Sequence, residues 1–153
     1  MSISYRLDDS DISILELLQT NGKISSTQIA NELNIAESTI RYRIERLEKR
    51  GIISNYIALI DPRKVGLNIT AIMMIKLIPQ NINQISETLA KFKELRHLFR
   101  VTGQYDMISV VNTKDIAHLN RLLEDIKLIN GIKEVILEVA NELIKMDPRF
   151  HLR

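Results

Sequence analysis

The stretch LNIAESTIRYRIERLEKRGII, residues 33–53, places five basic side chains within ten positions while keeping apolar residues at helical spacing. The basic residues are Arg41, Arg43, Arg46, Lys49 and Arg50. Ile40, Ile44 and Leu47 recur at i, i+4 and i+7, so they share one face of a helix. The stretch therefore predicts an amphipathic helix with a basic outer face, which is typical either of a solvated surface helix or of a helix that enters a groove of DNA.

The residues before this stretch predict two capped helices. Asp8 and Asp11 suit the positive end of a first helix, which Asn21–Gly22 ends. Ser25 and Gln28 have the capping-box spacing at the start of a second helix, and the third helix is expected to begin at about Glu37. Two short helices separated by a turn of three or four residues have helix-turn-helix spacing, which favours the DNA interpretation of the basic helix.

The outward face of the third helix divides by position. Base edges are usually read from the first turns of a recognition helix, and the expected readers are Ser38, Thr39, Arg41 and Tyr42. Cations further along usually meet phosphate, and the expected phosphate ligands are Arg43, Arg46 and Lys49. The competing interpretation is an ordinary surface helix stabilised by the ion pairs Glu37–Arg41 and Glu45–Lys49.

Composition limits the classes of protein that remain. The chain has 153 residues, a net charge of +2, 45% hydrophobic residues and 26% charged residues, which describes one ordinary or two small globular domains. It has no cysteine, which excludes disulfides, cysteine-ligated metals and thiol catalysis. No signal-like or membrane-length apolar run is found, so we expect a cytoplasmic protein without membrane contact.

The second half of the chain alternates between strand and helix patterns. The predicted order βαββαβ is that of a ferredoxin-like unit with both helices on one sheet face, and the fold class is α+β. The predicted segments are strand 69–79, helix 81–95, strands 96–103 and 105–113, helix 115–129 and strand 132–145. The expected domains are a helix-turn-helix domain over 1–53, a connecting strand and hinge over 54–66, and a ferredoxin-like domain over 67–153.

The first strand of the predicted sheet is apolar on both faces. Ala71, Met73, Ile75 and Leu77 point one way, and Ile72, Met74 and Ile78 point the other way. A sheet covered by helices on one face should expose polar residues on the other, so a second surface is needed. We expect a second subunit to supply it as an isologous dimer, whereas the alternative is that the N-terminal domain folds back over this face.

These motifs together resemble the Lrp/AsnC (leucine-responsive/asparagine-type, feast/famine) family of transcriptional regulators over nearly the whole chain. The matching residues are Leu7-Asp8, Asp11, Thr39-Ile40, Arg43-Ile44, Leu47 and Gly51-Ile52-Ile53, followed by Val101 to Val111. The resemblance implies that the C-terminal domain is of the ACT-like RAM type and that Gly103, Tyr105 and Asp106 lie beside an effector site. In a purely structural alternative, Gly103 makes a tight turn and Asp106 holds the backbone N–H groups of that turn.

Two departures from the family pattern concern these sites. The family usually has serine where this chain has Ala36, just before the recognition helix, and that loss removes a helix cap. Near the start of the last strand, where the family often has threonines that can touch the effector, this chain has Val135 and Leu137.

The resulting expectation is a DNA-binding transcriptional regulator that responds to an amino acid or related metabolite. Its expected partners are double-stranded promoter DNA, an amino-acid effector and a second subunit. Further assembly of such dimers into tetramers or octamers is left open. One alternative is an architectural, effector-independent DNA-binding protein, and another is a metabolite sensor without DNA binding. An enzyme is not expected, because the histidines His97, His118 and His151 are scattered; no catalytic residue, metal site or cofactor is predicted.

Overall fold

The computed structural model describes residues 6–79 and 82–153. The chain divides into two compact units, Met1–Leu59 with Met146–Arg153, and Ile60–Lys145. Residues 1–5 of the predicted first domain, and the predicted helix start at Asn81, lie outside the described residues. Among the described helices, none has the length and apolar character needed to cross a membrane.

The first unit contains the three predicted helices, α1 Asp9–Thr20, α2 Ser26–Leu33 and α3 Glu37–Lys49. Reciprocal capping boxes begin the first two helices, since Asp8 pairs with the N3 residue Asp11, and Ser25 pairs with Gln28. Both predicted caps are confirmed. The helices enclose a small apolar core of Ile14, Leu15, Ile29, Ala30, Ile40 and Leu47.

The end of α3 is set by Gly51. Its φ of +70° is left-handed, and the N–H groups of Gly51 and Ile52 donate to the carbonyls of Glu48 and Leu47 at 2.9 and 3.0 Å. These two bonds form a Schellman motif, for which glycine is favoured because it has no Cβ. The basic helix therefore stops at a defined point rather than continuing into the next segment.

Residues 54–61, expected to form the connecting strand, contain no regular secondary structure in the described chain. A strand requires a hydrogen-bonded neighbour, and within this single chain the segment pairs with none, so that prediction is wrong for the isolated chain. Its side chains face solvent, and Ile57 is 80% exposed. A short 3₁₀ turn over Arg63–Val65 follows, and Gly66, with φ +84°, ends it.

The second unit has the predicted βαββαβ order. Its elements are β1 Ile69–Leu77, α4 Ile82–Leu89, β2 Leu95–Arg100, β3 Met107–Thr113, α5 Ile116–Lys127 and β4 Ile132–Val139. All three strand pairs are antiparallel, in the spatial order β2-β3-β1-β4. The predicted α+β fold class is confirmed, and β1 and β3 occupy the centre of the sheet.

Two predicted elements are shorter than expected. Helix α4 ends at Leu89 rather than at residue 95, because i→i+3 bonds to the carbonyls of Thr88 and Leu89 tighten the chain into a turn. Strand β4 ends at Val139 rather than at residue 145, because its partner β1 begins at Ile69 and offers no further ladder. In α5, Leu119, Leu122 and Ile126 are buried, whereas Ile116 is exposed.

The sheet buries only one of its faces within the chain. Ala71, Met73, Ile75 and Leu77 pack with α4 and α5, as predicted. Ile72 and Met74 point to the opposite face and are only partly buried. Apolar side chains therefore line both faces of β1, and the outer face is uncovered within this unit.

Candidate nucleic-acid interface

The outward surface of α3 carries most of the predicted DNA contacts. Ser38, Thr39, Arg41, Tyr42 and Lys49 are all exposed. Tyr42 is 63% exposed, and its ring lies 5.9 Å from the guanidinium carbon of Arg46. This distance is within cation–π range, so the Arg46 guanidinium helps to hold the exposed Tyr42 ring in place. The structure thus brings five of the seven predicted residues onto one accessible surface.

Two of these cations are engaged with acidic neighbours on the same helix. The Arg41 Nε donates to the Glu37 Oε1 at 2.8 Å, and the Lys49 Nζ lies 2.6 Å from the Glu45 Oε1. The Arg41 hydrogen bond, with a second from Thr27, lowers the pKa of Glu37, and Lys49 lowers the pKa of Glu45. Both ion pairs of the surface-helix interpretation therefore form. They are highly exposed, so phosphate or a base edge can compete for either cation.

Arg43 and Arg46 point instead towards α1. The Asp11 Oδ1 accepts from the Arg43 Nη1 at 2.8 Å and from the Arg46 Nη2 at 3.0 Å. The Asp11 side chain is fully buried, whereas those of the two arginines are 21% and 26% exposed. Arg43 Nη1 also donates to the Asp8 Oδ2 at 2.8 Å. We term Asp8, Asp11, Arg43 and Arg46 the carboxylate–arginine cluster.

The electrostatics of the cluster follow from these bonds. The Arg43 hydrogen bond, with the Asp11 backbone N–H, lowers the pKa of Asp8. In return, hydrogen bonds to Asp8 and Asp11 raise the pKa of Arg43. The charges of α3 and α1 therefore stabilise one another, and the cluster attaches α3 to the start of α1.

The phosphate role of Arg43 and Arg46 remains a prediction, and their bonds within the cluster could not be predicted from the local sequence. The partners lie 32 and 35 residues apart, so no local pattern joins them. A signal was nevertheless present. Asp11 falls on the same helical stripe as Ile14 and Leu15, and a carboxylate on an apolar stripe requires a buried cationic or hydrogen-bonding partner.

The two ends of α3 are held differently. At the start, Ala36 provides no side-chain cap, as the sequence departure predicted. After the end of the helix, the Tyr56 hydroxyl donates to the Glu48 Oε1 at 2.9 Å. Burial and this carboxylate raise the pKa of Tyr56 to about 12, so the phenol stays protonated and remains a donor.

The predicted effector residues lie in the second unit, where Asp106 has a backbone role. Its Oδ2 accepts from the Leu77 N–H at 2.7 Å, and its own N–H donates to the Ile75 carbonyl at 2.9 Å. The register between β1 and β4 shifts at Lys76/Leu77, so Asp106 satisfies an N–H group at this bulge. Gly103 has a φ of +134°, a conformation that side-chain-bearing residues rarely adopt. The Gly103 conformation matches the structural alternative, whereas the N–H group that Asp106 binds belongs to Leu77 on β1 and not to the Gly103 turn.

An open cavity of about 450 Å³ nevertheless adjoins Asp106. Its lining combines apolar and basic residues, Lys76, Leu77, Ile78, Pro79 and Lys133. Gly103 and Tyr105 are not among the described lining residues, so the structure brings only one of the three predicted effector residues to this cavity. Val135 and Leu137 pack against the apolar core of the unit.

Comparison with known families also divides the chain into two parts, although the second family match extends to residue 150 and so includes part of the segment that the structure groups with the three helices. Residues 7–54 match the winged helix-turn-helix DNA-binding family, and residues 70–150 match the Lrp/AsnC ligand-binding domain family. An uncharacterized HTH-type transcriptional regulator of Pyrococcus horikoshii is 39% identical over 145 residues, covering 94% of this chain and 92% of the relative. The HTH-type transcriptional regulator FL11 of Pyrococcus furiosus is 33% identical over 144 residues, covering 92% and 95%.

Solved structures agree with the fold. An AsnC family transcriptional regulator from Agrobacterium tumefaciens has a TM-score of 0.90 at 26% identity, covering 95% of this chain and 97% of that chain. A transcriptional regulator of Neisseria meningitidis, in complex with L-Met, has a TM-score of 0.89 at 23% identity, covering 96% and 97%. At that identity the second likeness concerns the fold alone.

Proposed function

Because this chain belongs to the Lrp/AsnC family of transcriptional regulators, we propose that it reads promoter DNA with α3 and responds to an amino acid through its second unit. The observation that carries the DNA-binding proposal is the exposed surface of α3, which presents hydrogen-bonding groups in its first turns and a cation in its last turn. Such a helix can place base-reading groups and phosphate-binding groups on one groove.

The proposed readers are Ser38, Thr39, Arg41 and Tyr42, and the proposed exposed phosphate ligand is Lys49. Arg41 can donate two hydrogen bonds to a guanine once it leaves Glu37, and the carboxylate of Glu37 then remains bound to Thr27. The proposed role of Arg43 and Arg46 is chiefly to bind Asp11 of α1, which holds α3 in the orientation that presents its exposed side chains to DNA. Any phosphate contact by these two arginines is made by the part of each guanidinium that remains exposed.

A dimer through the outer face of the sheet completes the proposal. Cross-strand pairs place Ile72 beside Val110, and Met74 beside Ile108, on one face. Ile136 and Phe99 extend this apolar surface onto β4 and β2. An identical sheet is the simplest cover for a self-complementary apolar face, and a twofold dimer can present two recognition helices to half-sites about 34–36 Å apart. Tetramers or octamers would require further contacts between such dimers.

The proposed effector is an amino acid bound at the cavity beside Asp106. Its carboxylate can receive an ammonium group, and Lys76 and Lys133 supply positive charge for a ligand carboxylate. The match of residues 70–150 to the Lrp/AsnC ligand-binding domain family supports a small-molecule effector, and the Neisseria regulator, which shares the fold, was solved in complex with L-Met. Gly103 and Tyr105 are proposed to shape the neighbouring loop, with closer contact depending on a second subunit.

The testing experiment is binding of the purified protein to the DNA upstream of its own gene, measured against random competitor across a salt series. The proposal expects discrete binding that survives competitor and weakens steeply with salt, because Lys and Arg release counterions from phosphate. Amino acids are then titrated into the same assay. Equal affinity for competitor would favour the architectural alternative, and absence of binding at low salt would overturn the DNA-binding proposal.

A further inference from the structure

The segment Met146–Arg153, which we term the return segment, belongs to the same compact unit as the three helices. The chain leaves that unit after Leu59, forms the sheet domain, and re-enters the unit at Met146. The helix-turn-helix unit is therefore built from two separated parts of the sequence. Nothing in the family resemblance or in the proposed function requires this return.

A reciprocal hydrogen-bonded pair holds the middle of the return segment to α1. The Phe150 N–H donates to the Gln19 Oε1 at 2.7 Å, and the Gln19 Nε2 donates to the Phe150 carbonyl at 3.2 Å. One side-chain amide thus satisfies both backbone groups of one residue, as a neighbouring strand would. This contact is specific in geometry, because an amide must present its donor and acceptor together.

The end of the return segment adds three further contacts. Leu152 packs against the apolar core of the helices and is partly buried. The Arg153 Nη2 donates to the Ser13 Oγ at 2.7 Å, and its Nε lies 3.5 Å from the Glu16 Oε1. Ser13, Glu16 and Gln19 follow at intervals of three residues, so the return segment lies along one side of α1.

Helix α1 also holds the recognition helix. Its capping residue Asp8, and Asp11 in its first turn, bind Arg43 and Arg46 of α3. One side of α1 therefore contacts the return segment, while its first turn orients the helix that faces DNA. A displacement of α1 would move the carboxylates to which α3 is attached.

We propose that the return segment is a positioning element that docks on α1 of its own chain and links the second unit, Ile60–Lys145, to the recognition helix α3. Strand β4 of the second unit ends at Val139, and only residues 140–145 separate it from the return segment. The second unit is thereby joined to the DNA-binding unit at two points of the chain rather than at one. The consequence for DNA affinity rests on the proposed function, whereas the docking does not.

Amide hydrogen exchange in the full chain tests the docking. The Phe150 N–H lies outside any helix or strand, so it should exchange slowly only if it is bonded to Gln19. We expect Gln19→Ala to speed its exchange on the order of tenfold or more. The matched control is His151→Ala, in the same segment with an exposed side chain, which should leave the rate unchanged. Exchange of Phe150 at the rate of unstructured peptide in the unsubstituted protein would overturn the proposal.

Operator affinity tests the positioning role. We expect Leu152→Ala to weaken specific DNA binding by about three- to tenfold, and His151→Ala to leave it unchanged. If Leu152→Ala speeds exchange at Phe150 but leaves DNA affinity intact, the return segment docks without positioning, and this role is refuted. If the unsubstituted protein binds no DNA, the proposed function fails, while the exchange experiment still decides the docking.

Cross-linking separates docking within one chain from docking on a partner. The chain has no cysteine, so Thr20→Cys combined with His151→Cys gives one reactive pair in an otherwise unreactive protein. Both side chains are exposed and flank the Gln19–Phe150 contact, which these substitutions leave in place. A short bis-maleimide should yield a cross-linked monomer on denaturing gels. A mixture of the two single variants should yield no Thr20→Cys to His151→Cys heterodimer, and its appearance as the main product would overturn the same-chain arrangement.

Discussion

At the scale of a single residue, Asp11 shows how a buried carboxylate is stabilised by nearby cations. A carboxylate with no exposed side-chain surface would be strongly disfavoured alone, because it loses hydration. Arg43 and Arg46 restore favourable contacts and leave part of each guanidinium in solvent. The residue therefore converts a position on the apolar stripe of α1 into an attachment point for α3.

Removing this carboxylate should destabilise the DNA-binding unit. We expect Asp11→Ala to lower the free energy of unfolding by about 2–4 kcal/mol, since two partly buried cations each lose the carboxylate that they share. Urea unfolding followed by circular dichroism measures the change. Asp9→Ala, in the exposed first turn of the same helix, is the control and should cost less than about 1 kcal/mol. Equal effects of the two substitutions would mean that Asp11 contributes only through helix-dipole charge.

Asp8 predicts a dependence of stability on pH. The pKa of its carboxyl is lowered from 3.8 in the folded state, chiefly by the Arg43 hydrogen bond. Because the pKa is lower in the folded state than in the unfolded state, the ionised carboxylate stabilises the fold at pH values above the pKa of the unfolded state. This contribution is lost as the pH falls through the pKa of the folded state. Asp8→Asn keeps a helix cap but removes the charge. The stability difference between the unsubstituted protein and Asp8→Asn should therefore shrink below about pH 4, and a pH-independent difference would contradict the assignment.

At the scale of an element, α3 combines a well-formed end with an uncapped start. Ala36 has the extended ψ of 136° that a capping residue adopts, but no side-chain oxygen. We expect Ala36→Ser to stabilise the protein by about 1 kcal/mol, because the serine hydroxyl can accept a hydrogen bond from a backbone N–H of the first turn. Thermal unfolding measures this gain. Ala36→Val, which adds bulk without an acceptor, should not reproduce it; if it does, packing rather than capping is responsible.

Substitutions along α3 should distinguish the side chains that read bases from those that position the helix. Arg41→Ala is expected to cost about 1–3 kcal/mol in specific binding and to relax base preference at one position. Arg46→Ala is expected to lower folding stability along with affinity, because it breaks a bond to buried Asp11. Lys49→Ala should instead reduce the salt slope by about one unit with little change in stability. Titrations of operator and random DNA, paired with unfolding curves, measure these effects; identical profiles would refute the division.

The elements that were predicted correctly are those with local causes. The capping pairs Asp8–Asp11 and Ser25–Gln28 join residues three apart, and the core positions Ile40 and Leu47 follow from helical period. The carboxylate–arginine cluster and the return segment escaped prediction because their partners are far apart in sequence. The length of β4 also escaped, because a strand ends where its neighbour ends, which its own alternating pattern does not reveal.

At the scale of the whole molecule, the outer face of the sheet leads to a prediction about the oligomeric state. Met74→Lys should convert the proposed dimer into monomers without unfolding the subunit, because Met74 is partly exposed in the single chain and lysine can reach solvent there. Sedimentation velocity measures the mass. Asn120→Lys, on the exposed surface of α5, adds the same charge on the helix-covered side and should leave the dimer intact. An unchanged mass for Met74→Lys would place the interface elsewhere.

The two-part construction of the DNA-binding unit has a consequence for biosynthesis. The ribosome releases the three helices first, and they can begin to fold while the sheet domain is still being translated. The return segment emerges only after β4, so α1 lacks its docked partner until the whole sheet domain has been translated. A nascent chain stalled within the sheet domain would therefore expose a recognition helix on an incompletely supported scaffold. If the return segment positions α1 as proposed, full operator affinity should appear only after the sheet domain and the return segment have both been synthesised.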